Sequence, residues 1–498
     1  MFNRFKVVAL FCAWVGLALP ALAAPDAATL KGVDTMIEQW RLDSHVPGLV
    51  YGIVVDGQLV SVKGLGVQDV VANRPVTADS RFRIASMSKA FTALAILKLR
   101  DAGKLSLDAP AEAYVPEMRG WTYPTADSRK IRVRDLLNHV AGFVTDDPWG
   151  DRHQPISEAE FSAMLKAGVP FARSPGIAMD YSNFGYATLG RIVSNVSGQR
   201  YQDYIRSNFM LPLGMTSTGY DIAKSPEALR AIGYRWQDNG WLREPDMADG
   251  VFGAMGGVET SANDYARWVG FLLSGWPPRD TADTGPVKRA TVREIVEGSN
   301  FPRGTMRPVS VGAPCRQAMT YAMGWYVVED CDIGRYLTHG GGYPGYGSRV
   351  MLLPDRGVGI FVLTNRTYAG PSSPALKAAL ALVASGDFPE RAVPVSASVA
   401  KGYDMARSIW AAGSVSGAKA GLAMNFLMDS DEAHWASDLA RMKAQVGACP
   451  ATEAPSPRNA MAASFTWACE HGRISGSLLL APTPEVALQE LEFEVLTP

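Results

Sequence analysis

The stretch Ser86-Met87-Ser88-Lys89-Ala90-Phe91-Thr92-Ala93-Leu94-Ala95-Ile96-Leu97-Lys98-Leu99-Arg100 joins a hydroxyl, an amine and a long apolar run. From Ala90 onward it is made of strong helix formers whose apolar side chains cover one broad face, the pattern of a buried helix. Residues three apart on a helix share a face, with Cβ atoms about 5–6 Å apart, so the Lys89 amine can reach the Ser86 hydroxyl one turn back. A serine needs such a neighbour, because at neutral pH it is a poor nucleophile unless a nearby group takes its proton and later returns it. The positive end of the helix dipole and burial both disfavour an ammonium, so a neutral, proton-accepting Lys89 is expected.

The spacing alone is weak, since Ser398-Val399-Ala400-Lys401 and Ser416-Gly417-Ala418-Lys419 satisfy it as well. Ser86 differs in being followed by Tyr181-Ser182-Asn183 and His339-Gly340-Gly341, which add a second candidate base and a glycine-rich strand. Either segment has an ordinary reading by itself. Tyr181-Ser182-Asn183 could be a turn leading into an apolar helix over 186–193, and His339 with its glycines could be a loop. Residues 348–363, however, read as two apolar strands around a Pro354-Asp355-Arg356-Gly357 turn, so the glycines enter a sheet. His139 follows a short helix over 134–137 and is expected to satisfy a backbone group rather than to do chemistry.

With Arg134-Asp135-Leu136-Leu137-Asn138-His139-Val140-Ala141-Gly142, Pro212-Leu213-Gly214-Met215, Gly256-Gly257-Val258-Glu259-Thr260-Ser261-Ala262-Asn263-Asp264 and Leu353-Pro354-Asp355-Arg356-Gly357, the chain resembles the penicillin-recognising serine hydrolases over roughly residues 35–385. That family comprises class C β-lactamases, D,D-peptidases, D-aminopeptidases and related esterases. The resemblance implies Ser86 as the acylated nucleophile, Lys89 as its proton acceptor and Tyr181 as the group that protonates the leaving atom. It implies that Asn183 hydrogen-bonds substrate and Lys89, that His339 and Gly341 lie on a strand edging the cleft, and that the N–H groups of Ser86 and Gly342 form the oxyanion hole. Each such donor is worth about 3–4 kcal/mol. Cofactors and metals are not implied. Where many β-lactamases carry lysine, this chain has His339, which near pKa 6.5 is only partly charged at neutral pH. Peptide, amide or ester cleavage, with D-amino-acid substrates favoured, is therefore expected over potent β-lactamase activity. The alternative is a penicillin-binding or sensory protein of slow turnover whose role lies in its C-terminal region.

The implied fold is α+β, an antiparallel sheet with flanking helices built from N- and C-terminal strands, with a helical part inserted between them. Leu49-Val50-Tyr51-Gly52-Ile53-Val54-Val55 before Asp56-Gly57 is the hairpin signature of its first strands. Strands are expected again at 324–328 and 349–363. A proline-interrupted polar segment over 386–395 marks a domain break. Beyond it, helices over 403–424 and 429–446 and three strands read as a small α+β domain over 396–498, after a hydrolase domain over 24–388.

Residues 1–23 read as a signal peptide, with Arg4 and Lys6 before an apolar run and Ala21-Leu22-Ala23 as the cleavage form. The run is short for a membrane span, so a periplasmic or secreted protein without a stable anchor is expected. In that compartment Cys315, Cys331, Cys449 and Cys469 form an even set. Neighbour pairing, Cys315 with Cys331 and Cys449 with Cys469, is expected over a zinc site, since no Cys-x-x-Cys or His-x-x-x-His spacing occurs. The formal net charge of −1 over 498 residues offers no basic field for nucleic acid. The expected partner is a small molecule or short peptide, and the oligomeric state is left open.

Overall fold

The computed structural model describes residues 24–298, 300–309, 312–428, 430–450 and 453–496; the expected signal peptide lies outside them. Every residue of the first strand is buried, as its unbroken apolar run requires of a strand covered on both faces. In chain order the main strands are β1 (Gly48–Val55), β2 (Gln58–Asp69), β3 (Arg74–Pro75), β4 (Arg303–Arg307), β5 (Cys315–Ala322), β6 (Trp325–Asp330), β7 (Gly334–Tyr343), β8 (Tyr346–Leu353) and β9 (Val358–Thr364). They form one nine-stranded sheet in the spatial order β3-β2-β1-β9-β8-β7-β6-β5-β4. The pairing is antiparallel, and β1 joins β9 with Ile53 opposite Ile360, so the two ends of the unit close one sheet.

The helices that matter for the site are α1 (Ala27–Asp43), α2 (Lys89–Asp101), α3 (Asn183–Ser197), α4 (Ala262–Leu273) and α5 (Ser372–Ala384). Val33 and Ile37 of α1 and Ala375, Ala379 and Leu382 of α5 pack with Ile53, Met351 and Ile360 on one face of the sheet. On the other face Phe91 and Leu94 of α2, Leu189 of α3 and Trp268 of α4 join Val54, Val350 and Phe361 in the larger core. Phe91 stacks on Trp268 at 3.8 Å between ring centroids, which ties α2 to α4. The helical part is inserted between β3 and β4, giving the expected α+β architecture of the β-lactamase/transpeptidase type.

Two local expectations change. The sheet resumes earlier than position 324, because β4 and β5 extend it; Cys315 to Ala322 mixes exposed and buried positions in a sequence, Cys-Arg-Gln-Ala-Met-Thr-Tyr-Ala, too polar to read as a core strand. The helix expected over 403–424 instead ends at Ala412. Gly413 takes a left-handed cap (φ 63°) and donates to the carbonyls of Ile409 and Trp410, which stops the helix.

The C-terminal unit consists of α6 (Ala397–Ala412), α7 (Glu432–Val446) and a four-stranded sheet in the order β10 (Ser456–Asn459), β11 (Ala462–Cys469), β12 (Gly472–Leu480), β13 (Leu488–Leu496). It has its own core around Trp410, Leu439, Val446, Phe465 and Trp467. Among the described residues, no hydrogen bond or ion pair links 396–496 to the chain before it. The disulfides are Cys315–Cys331, which ties β5 to the end of β6, and Cys449–Cys469, which ties the end of α7 to β11. Among the described residues no helix is long and apolar enough to cross a membrane.

Candidate active site

Ser86, the expected nucleophile, sits on a 3-10 turn, Ala85–Ser88, that runs directly into α2. Ala85 adopts φ +47°, a conformation that costs a residue with a Cβ and that persists at functional turns when the surroundings enforce it. Here the enforcement comes from β7 and β8. Ser348 Oγ donates to the Ile84 carbonyl at 2.9 Å. A Cβ on Gly341 would lie 2.2 Å from Ser348 Oγ and 2.3 Å from the Ile84 carbonyl, so only glycine lets the strand close onto the turn.

Lys89 is fully buried and its Nζ has three neighbours: Ser86 Oγ at 3.1 Å, Asn183 Oδ1 at 2.7 Å and the Met255 carbonyl at 2.9 Å. Burial pushes its pKa down to about 8 against the pull of the Asp151, Asp146 and Asp147 carboxylates. The amine therefore titrates close to neutral pH. The arrangement also orients the amine. A neutral amine has two N–H donors and one lone pair; with Asn183 and Met255 offering only acceptors, the lone pair is left for the Ser86 hydroxyl.

Tyr181 stands beside this pair, its ring centroid 4.8 Å from Lys89 Nζ, and lines the cleft with Ser86. Burial raises its pKa well above the usual phenol value, outweighing the opposing influence of the Ser86 hydroxyl, so Tyr181 holds its proton. Asn183 opens α3 and is capped from both sides. Ser182 Oγ accepts from the Gly185 N–H at 3.1 Å, and the Asp146 carboxylate accepts from the N–H groups of Asn183 and Phe184 at 2.6 and 2.7 Å. With its oxygen on Lys89, Asn183 keeps an amide nitrogen that has no partner among the described residues. His139 accepts the Ser182 N–H on Nδ1 at 3.1 Å and packs on the Tyr181 ring at 4.3 Å, holding this motif in place.

His339 departs from its expected partial charge. It is 3% exposed, donates from Nδ1 to the Gly340 carbonyl at 2.6 Å and accepts on Nε2 from the Tyr321 hydroxyl at 3.2 Å. Burial, then the charges of Lys89 and Arg349, push its pKa down to about 3 against the help of the Gly340 bond. The imidazole is neutral over the working pH range.

The strand carrying it has one open edge. His339 to Tyr343 pair with Val350 to Tyr346 of β8, whereas β6 leaves β7 at the pair Tyr326–Thr338. The free edge borders a cleft of about 400 Å³ with Ser86, Tyr181 and Asp147 across it and Gly340, Gly341 and Gly342 along it. Of the residues singled out from sequence for catalysis and substrate contact, Ser86, Tyr181, His339, Gly341 and Gly342 line one cleft, and Lys89 and Asn183 lie buried immediately behind it.

Sequence reasoning missed the acids. Asp151, raised to about 7 by burial and by Asp147, accepts from the Tyr368 hydroxyl at 3.0 Å, and with Asp146 it supplies the field that keeps the Lys89 pKa from falling further. In sequence Asp146-Asp147-Pro148 looks like any surface turn. Arg349 was missed too, though a lone charge inside the apolar run 348–353 was a visible signal. Cys315, Asp330, Cys331 and Asp332 cluster closely, but the two sulfurs are spent on each other and Asp330 holds Arg307.

A family model described as Beta-lactamase matches residues 31–385. The chain belongs to the beta-lactamase family. Protein flp of Staphylococcus aureus (strain NCTC 8325 / PS 47) is 29% identical over 341 residues, covering 67% of this chain and 62% of that protein. Penicillin-binding protein 4* of Bacillus subtilis (strain 168) is 25% identical over 317 residues, covering 62% of this chain and 66% of that protein. The chain therefore spans just under two thirds of the length of these curated relatives. Among solved structures, the octameric penicillin-binding protein homologue from Pyrococcus abyssi matches at TM-score 0.59 and 21% identity, over 93% of this chain and 99% of that one. A class C beta-lactamase matches at TM-score 0.55 and 21% identity, over 72% and 96% of the two chains. At that identity the likeness speaks for the fold. The wider span of the first takes in most of the C-terminal unit of this beta-lactamase family member as well.

Proposed function

We propose that this protein is a periplasmic or secreted serine hydrolase that forms an acyl-enzyme on Ser86 and cleaves peptide, amide or ester bonds, D-amino-acid peptides and esters foremost. The observation that carries the reading is the cage around Lys89, which leaves a neutral amine one orientation, lone pair toward the Ser86 hydroxyl. In the first half-reaction Ser86 Oγ attacks the substrate carbonyl and Lys89 takes its proton. The N–H groups of Ser86 and Gly342 receive the charge that develops on the carbonyl oxygen. The leaving amine or alkoxide takes the Tyr181 proton, which the Lys89 ammonium replaces. Water then attacks the ester, its proton passes back through the same groups to Ser86 Oγ, and the acid leaves. The open edge of β7 accommodates an extended substrate backbone in the manner of an added strand.

Export is supported by the two disulfides, which persist in an oxidising compartment. A biotinylated fluorophosphonate followed by peptide mass spectrometry tests the assignment. One adduct on the peptide holding Ser86, lost in Ser86→Ala, is expected; labelling elsewhere or undiminished labelling of Ser86→Ala would overturn it. A panel of D-alanyl peptides, short-chain esters and a chromogenic cephalosporin then ranks the substrates.

A further inference from the structure

The two N–H groups assigned to the oxyanion hole belong to distant parts of the chain, Ser86 to the turn before α2 and Gly342 to β7. Such a hole stabilises charge only when both donors are aimed at one point before the charge develops. Among the described residues two hydrogen bonds join residues 83–88 to β7 and β8. One is the Ser348 hydroxyl on the Ile84 carbonyl, and the other is made by Arg83, three residues before Ser86. Arg83 ends the short strand Arg81–Arg83 and is 2% exposed. Its Nη1 donates to the Tyr343 hydroxyl at 3.0 Å, and its guanidinium carbon lies 5.0 Å from the centroid of that ring. Tyr343 directly follows Gly342, is buried, and donates its own hydroxyl proton to Met247 Sδ at 3.0 Å. Burial pushes its pKa up to about 12 against the Arg83 charge, so it accepts the Arg83 bond as a neutral phenol.

Stability does not account for this cation. Its Nε and Nη2 are buried donors with no partner among the described residues. Glu259 stands opposite it where Arg81–Arg83 pairs with Glu259–Ser261, and Asp249 is near enough to feel its charge. Among the described residues neither carboxylate forms an ion pair with it within 4 Å, and Glu259 instead accepts the Ser225 hydroxyl. A buried cation of this kind can often be exchanged for an apolar side chain of similar volume with little loss of stability, or with a gain. What Arg83 adds is therefore geometry: a fixed link between the turn of Ser86 and the end of β7.

We propose that Arg83 is a positioning residue for the oxyanion hole, its bond to Tyr343 fixing the Gly342 N–H relative to the Ser86 N–H. The two ties act at different points. Ser348 holds the turn at Ile84, and Arg83 holds the end of β7 one residue past Gly342. One tie alone would let the turn rotate about it; two tie down both the separation and the tilt of turn and strand. A misplacement of about 1 Å far from the reacting atoms can cost about a hundredfold in rate. A side chain that touches no substrate can thus govern how well the hole is formed.

This rests on the hydrolase reading, and the test separates the two. The probe is p-nitrophenyl trimethylacetate, isotopically labelled at its carbonyl carbon, whose bulky acyl group slows deacylation. Acylation is followed by p-nitrophenol release, and the acyl-enzyme carbonyl by its infrared stretch, which falls in frequency when donors bond the oxygen. In Arg83→Met the acylation rate should fall at least about tenfold with KM within about twofold of wild type, and the carbonyl stretch should move to higher frequency. Tyr343→Phe, which removes the acceptor and keeps the ring, should move both in the same direction. The double variant should lose no more than Arg83→Met alone, because both changes break one bond. The proposal is overturned if rate and carbonyl frequency stay at their wild-type values in either variant, if the loss is carried by KM, or if the two losses multiply in the double variant. Where Arg83→Met does not fold, the rate and carbonyl stretch of Tyr343→Phe decide. Wild-type protein that forms no acyl-enzyme on Ser86 overturns the hydrolase reading, and this proposal with it.

Discussion

Lys89 and Arg349 are two cations near one cleft under opposite conditions. The Lys89 amine is fully buried behind Ser86 with three hydrogen-bonding neighbours, whereas the Arg349 guanidinium lines the cleft on the β7–β8 wall with none among the described residues. A cation whose bonds are all fixed within the protein has its orientation and pKa determined before substrate arrives, as the proposed proton transfer requires. The Arg349 guanidinium has no such fixed partner, so variants at the two positions should fail in different ways.

Ser86→Ala should have the largest effect, a loss of at least about a thousandfold in kcat/KM on every acyl donor, since no other group on the floor can accept the acyl chain. Lys89→Ala and Tyr181→Phe should each cost about a hundredfold or more in kcat with modest change in KM, the scale of general acid–base catalysis. A KM effect without a kcat effect at either position would contradict its proton-transfer role. Arg349→Gln should show the converse, a smaller change of about tenfold carried by KM. A different readout, stability, should respond to His339. Its folded pKa of about 3 lies below the unfolded value near 6.5, so between these pH values the unfolded chain binds the extra proton. Stability should therefore fall as pH is lowered from 6.5 toward 3, by up to about 1.4 kcal/mol per pH unit from this group. His339→Gln should flatten that slope in denaturant titrations, and a slope that persists unchanged would assign the acid sensitivity elsewhere.

How much of this was legible in the sequence follows from the range of the interactions. Ser86 and Lys89 are three apart on one helix, and β1 with its Asp56-Gly57 turn is local patterning; both could be read directly. Tyr181, Asn183 and His339 were recognisable through the motifs around them. The charge state of His339 was not, because it depends on Tyr321 and on burial beneath β7. The acids near Lys89 were equally hidden: Asp146 matters because it caps α3 from a distant loop, and Asp151 because the fold buries it against Tyr368. Arg349 carried a sequence signal, a charge within an apolar strand, but its direction depends on register. Only the pairing of Arg349 with Gly340 reveals that a glycine lets it reach the cleft.

The pH dependence of acylation tests the central claim, that Lys89 delivers a lone pair to Ser86, most directly. With Lys89 titrating near 8, the single-turnover acylation rate of wild-type protein should rise tenfold per pH unit through the acid range and level off above about pH 8, with no inflection near 6.5. In Lys89→Ala that limb should vanish. A rate that is flat from pH 6 to 9, or that falls as pH rises through 8, would contradict the assignment of Lys89 as the base.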